Sequence, residues 1–110
     1  MLVDEEKLKV KRNDVVNDLA VLKSEKPISN YLRISGLVTP RKGEDIFVIG
    51  YPFGKFASTD SKVTRGIVSS LQGLGNNINQ FQIDAAIQPG NSGGPIYDYG
   101  GNIVGVVVSQ

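Results

Sequence analysis

The chain has 110 residues, 40% of them hydrophobic, enough for one compact core and too few for two full domains. Twelve Lys and Arg stand against 11 Asp and Glu, so charge gives no reason to expect nucleic acid or an acidic membrane as a partner. The lack of cysteine excludes a disulfide framework, a thiolate metal site and a cysteine nucleophile while leaving the compartment open, and the lack of histidine removes the usual general base at neutral pH.

The first residues, MLVDEEKLKVKR, are charged where a secretory signal would be apolar, and no window approaches the roughly 18 consecutive apolar residues of a membrane helix. Short runs rich in Val, Ile, Phe and Tyr, separated by Gly and Pro, predict an all-β chain. Strands are expected at 7–11, 19–23, 31–34, 45–50, 63–71, 79–84, 95–97 and 103–109. Lys7, Lys9, Lys11 and Arg12 alternate as a solvated strand face would. Over 15–22 the apolar spacing does not sustain a helix, and a turn at Asn17 and Asp18 feeding strand 19–23 explains it better. Residues 24–30 and 51–61 read as loops, the first a candidate boundary between two halves of a larger fold. Gly73-Leu74-Gly75-Asn76-Asn77 and Tyr99-Gly100-Gly101-Asn102 place Gly and Asn where a positive φ reverses a strand, so both are expected to close hairpins.

Several chemistries are set aside on residue types. Gly50 to Lys55 lacks the spacing of a phosphate-binding loop and has Phe56 where Ser or Thr is required. Acidic residues do not cluster at ligand spacing, so neither a metal nor a cofactor is implied. Phe47, Phe81, Tyr97 and Tyr99 read as core or strand-surface aromatics because no basic residues are interleaved with them.

The densest signal is Gln88-Pro89-Gly90-Asn91-Ser92-Gly93-Gly94-Pro95, a serine among glycines between two apolar strands. A serine nucleophile must stand exposed on a tight turn with backbone N–H groups converging on the oxygen that turns negative when a carbonyl is attacked. Gly90 permits such a turn, and Gly93 and Gly94 let a substrate chain approach. On residue types alone the same segment also reads as a glycine-rich hairpin loop with an incidental serine.

The whole segment from Asp84 to Pro95 closely resembles the nucleophile region of trypsin-like serine proteases of the HtrA/Deg kind. Residues 43–54, GEDIFVIGYPFG, resemble the family's strand into a Gly-Tyr-Pro turn, 63–69 its Thr-x-Gly-Ile-Val-Ser strand, and 17–23 the segment bearing the triad aspartate. The resemblance implies a trypsin-like β-barrel fold, with 1–24 as the last strands of the first barrel and 25–110 as the second barrel. It makes Ser92 the nucleophile and Asp18 the carboxylate that orients a histidine. It places the oxyanion hole on the backbone of Gly90, Asn91 and Ser92, with the N–H groups of Gly90 and Ser92 as donors. Ala86, six positions ahead of Ser92, and Ile87 would line a pocket for small or medium aliphatic side chains of a polypeptide substrate. Asn91 stands where digestive relatives carry an aspartate that pairs with a new N-terminus, so that route of activation is not expected.

The family's histidine lies upstream of the aspartate, in a unit roughly twice this length. The chain is therefore expected to be an inactive fragment whose partner is the missing N-terminal half, with an uncovered barrel edge prone to dimerisation or strand exchange. The alternative reading is a non-catalytic, protease-like module that binds peptides by strand addition.

Overall fold

The computed structural model describes residues 2–3, 6–34, 39–51 and 60–108. The chain forms two compact units, Met1–Leu32 and Arg33–Gln110, and among the described residues the regular structure is β apart from one short 3-10 turn at Leu74–Asn76.

The first unit holds two antiparallel pairs. Strand β1 (Leu2–Val3) pairs with β2 (Glu6–Lys7), and β3 (Lys9–Asp14) with β4 (Leu19–Lys23). The expected strand at 7–11 is thus divided, since Lys7 pairs with Leu2 in a separate ladder while β3 runs on to Asp14, opposite Leu19. A bulge between Val10 and Arg12 takes up Lys11, and Lys9, Lys11 and Arg12 are all exposed. The turn at 15–18 forms where the sequence placed it. The Asp14 carboxylate accepts the Asn17 N–H at 3.1 Å and its side-chain amide at 2.7 Å, and Asp18 follows in the left-handed region at φ 57°. These bonds hold the Asp14 carboxyl below its usual value, the Asn17 side chain contributing most.

The second unit is a five-stranded antiparallel sheet in the order β7-β6-β5-β8-β9, curled into a half-barrel. Its strands are β5 (Asp45–Gly50), β6 (Lys62–Ser70), β7 (Gln82–Ile83), β8 (Pro95–Asp98) and β9 (Ile103–Val106). Alternation along β5 sends Ile46 and Val48 into the core, where Val68, Ala85, Ile96 and Val107 join them. Phe81 closes one side by lying over Gly105, where a methyl group would sit 2.7 Å from its ring. The other face carries Phe47 stacked on Tyr97 at 5.1 Å, with Arg65 over the Tyr99 ring at 5.1 Å and 3.6 Å from Asp45.

The two expected turns differ. Tyr99 to Asn102 closes a tight β8–β9 hairpin: Gly101 has φ 82°, and Asp98 accepts the Asn102 N–H at 2.9 Å. That bond, then the Asn102 side chain, lowers the Asp98 carboxyl below its ordinary value. At Gly75 and Asn76 φ is 65° and 60°, as the residue types require, but the strands they join are unequal. Strand β7 begins only at Gln82, because Asn77 captures the Asn79 N–H through its side chain and the Gln80 N–H through its carbonyl. The expected strand at 31–34 is absent apart from a single parallel bridge from Ile34 to Ile103, and Tyr31 and Leu32 stay exposed. Residues 24–30 form no strand, and the expected strand 103–109 stops at Val106, with 107–108 irregular; residue 109 and 52–59 of the expected loop 51–61 lie outside the described residues.

Candidate active site

The chain reaches the serine loop by crossing close over β6. Gly66 has no side chain where Asp84 and Ala85 pass: a methyl there would lie 2.5 Å from Asp84 Oδ1 and 2.6 Å from Ala85 N. Asp84 then substitutes for a strand partner, its carboxylate accepting the Ile67 N–H at 2.6 Å and its own N–H donating to Ile67 O at 3.2 Å. Ala85 is buried behind this crossing, while Ala86 and Ile87 emerge on the surface.

Two successive β-turns follow. Asn91 N–H donates to Gln88 O at 3.2 Å across Pro89 and Gly90, and Gly94 N–H donates to Asn91 O at 3.0 Å across Ser92 and Gly93. Gly90 at φ 100° and Gly93 at φ 86° occupy the third position of each turn, the place in a type II turn that demands a positive φ. Gly93 N–H donates to Val107 O at 2.7 Å and Val107 N–H to Gly94 O at 2.9 Å, which ties the loop to the end of the β8–β9 hairpin.

Two backbone donors of residues 90–94 are left over. The N–H groups of Asn91, Gly93 and Gly94 are all engaged, whereas those of Gly90 and Ser92 meet no acceptor among the described residues, and Ser92 is exposed. Asp18 lies in the other unit, exposed at the end of its turn. A shallow cleft lined by Glu44, Asp45, Asp98, Tyr99 and Gly100 sits at the start of β5, about 17 Å of strand from Gly50 and the serine loop. No group of three or more acidic side chains among the described residues could hold a metal ion.

The Gly66–Asp84 crossing and the Gly50 position were not singled out from sequence. Gly50 ends β5 and Gly66 stands in the middle of β6, and a glycine within a strand marks close approach by another part of the chain.

The curled five-stranded sheet thus carries an exposed serine on a glycine-rich double turn. The model of the trypsin-like peptidase domain matches residues 3–106, and the chain belongs to that family. It is 40% identical over 103 residues to the serine protease Do-like HtrA of Bacillus subtilis, covering 86% of this chain and 22% of that one. To a probable periplasmic serine endoprotease DegP-like of Pseudomonas savastanoi it is 38% identical over 110 residues, 96% of this chain and 22% of the other. The serine endoprotease of Yersinia pestis has a crystal structure that superposes with a TM-score of 0.74 at 33% identity, over 92% of this chain and 34% of that one. The chain thus spans about a fifth of the length of these curated relatives.

Proposed function

We propose that this chain carries the nucleophilic part of a serine endopeptidase that cleaves polypeptides through an acyl-enzyme. Ser92 Oγ attacks the scissile carbonyl, and the N–H groups of Gly90 and Ser92 receive the oxyanion. The observation that carries this reading is an exposed serine whose own N–H and that of Gly90 meet no acceptor among the described residues. Asn91 N–H already serves Gln88 O, so its backbone contributes by shaping the hole and not by donating to it.

Asp18 is assigned the orienting of a histidine and the steadying of its positive charge. That histidine belongs to a segment beyond these 110 residues, which contain none. Serine alone is a weak nucleophile, so the isolated chain is expected to be nearly inert. Residues 1–24 are assigned to the end of a first barrel and 25–110 to the second; the two compact units divide eight residues later, between Leu32 and Arg33. Ala86 and Ile87, both exposed and uncharged, are assigned to the wall of a substrate pocket favouring aliphatic side chains.

Reading the coding DNA upstream of the Met1 codon tests the proposal. A histidine in a β-rich segment some tens of residues before Asp18 supports it. An upstream reading frame without histidine overturns it.

A further inference from the structure

Residues 86–93 form an exposed loop with a single exception, Asn91, whose exposure is 4%. Burying an amide is unfavourable without compensation, so its placement calls for a reason. The Asn91 side chain lies against Gly50 at the end of β5, where a methyl group would overlap Asn91 Oδ1 and come within 3.2 Å of its Cγ. Gly50 therefore forms a seat that only a glycine leaves open.

Asn91 is also the residue common to both turns. Its N–H closes the first turn on Gln88 and its carbonyl opens the second toward Gly94. Gly90 and Gly93 on either side have the widest conformational freedom of any residue type; Gly93 is tied to Val107, but Gly90 has no such bond of its own to limit its orientation. Across this stretch the one side chain buried in the protein is that of Asn91.

The geometry points to Asn91 as the positioning residue of the serine loop: its side chain, seated on Gly50, fixes the direction of the Gly90 and Ser92 N–H groups and of the Ser92 hydroxyl. The catalytic consequence rests on the reading of Ser92 as nucleophile, but the seating itself does not. A carboxylate could not replace the amide, because Oδ1 is buried with no hydrogen-bond partner among the described residues and a charge there would be uncompensated. The coupling between Gly50 and Ser92 spans two strands that are not adjacent in sequence, β5 and the approach to β8.

The test is amide hydrogen exchange and ¹H–¹⁵N shifts on the 110-residue chain, comparing Asn91→Ala, Gly50→Ala and the double variant. Asn91→Ala is expected to speed exchange at Gly93 and Gly94 by about tenfold and to shift Gly90 and Ser92, while Ile46, Val48 and Val68 keep their protection. Gly50→Ala, which fills the seat, is expected to give the same pattern at the loop, and the double variant to be no worse than the worse single. The proposal falls if Gly50→Ala leaves 90–94 unchanged. It also falls if either variant loses the strand signals together with the loop, since Asn91 would then serve folding in general. No catalysis is read, so failure here leaves Ser92 standing as nucleophile, and failure of Ser92 to react in a protein with an ordered loop leaves the seating standing.

Discussion

Gly66→Ala is the substitution whose effect follows most directly from the approach to the serine loop. The added methyl would sit 2.5 Å from Asp84 Oδ1, 2.6 Å from Ala85 N and 2.8 Å from Ala85 Cα. Two of these atoms are main chain and cannot swing aside, so the crossing at 84–85 must lift from β6. Lifting breaks the 2.6 Å hydrogen bond from Ile67 N–H to the Asp84 carboxylate, a loss of about 1.5–3 kcal/mol. Overpacking adds about 1–3 kcal/mol, and the better strand propensity of alanine returns about 0.5–1 kcal/mol. The net destabilisation is about 2–5 kcal/mol, which in urea denaturation lowers the midpoint by about 1 M or more. Gly101→Ala is the matched control, with a φ of 82° but nothing within 4 Å of the new methyl. It carries left-handed strain alone, about 1–2 kcal/mol. A Gly66→Ala protein within about 0.5 kcal/mol of the parent would refute the close crossing.

Other substitutions grade by burial and by hydrogen bonding. Ile46, at 0% exposure, is expected to lose about 2–5 kcal/mol as Ile46→Ala in the same urea experiment. Arg65→Ala should change stability by less than about 1 kcal/mol, since its ion pair with Asp45 and its contact with Tyr99 are both on the surface. Because the Asp98 carboxyl is held low by Asn102, its stabilising contribution is present above the unfolded-state pKa and is lost as pH falls through the lower folded one. Asp98→Asn should therefore flatten the fall in urea midpoint with acidification below about pH 4. The sheet ends in β7 and β9 as edge strands, so the isolated chain is expected to self-associate at high concentration. A monodisperse monomer by light scattering would count against this.

The parts legible in sequence were those encoded by local pattern. Alternation over 45–50 gives the buried pair Ile46 and Val48, and glycine with asparagine at 75–76 and 99–102 gives the positive-φ positions. The Ser92 loop was legible because proline and two glycines specify its two turns almost without reference to the rest of the chain. Pairing partners were not, because periodicity assigns a face and leaves the neighbour open. Residues 31–34 have the composition of a strand, yet their sheet contact is limited to one bridge at Ile34. Strand β7 begins later than its composition suggests because the Asn77 bonds to 79 and 80 compete locally with the ladder. Most hidden was the role of Asn91: beside Ser92 it reads as one more polar turn residue, and its burial depends on Gly50, far away in sequence.

The most direct measurement of the central claim is covalent labelling. With a histidine-bearing N-terminal segment of a trypsin-like serine protease fused ahead of Met1, the protein is treated with a fluorophosphonate and the modified residue mapped by mass spectrometry. An adduct is expected on Ser92, absent in Ser92→Ala and slowed by about 10⁴-fold in Asp18→Asn. A folded fusion left unlabelled at Ser92, or one labelled there at an undiminished rate in Asp18→Asn, would contradict the claim.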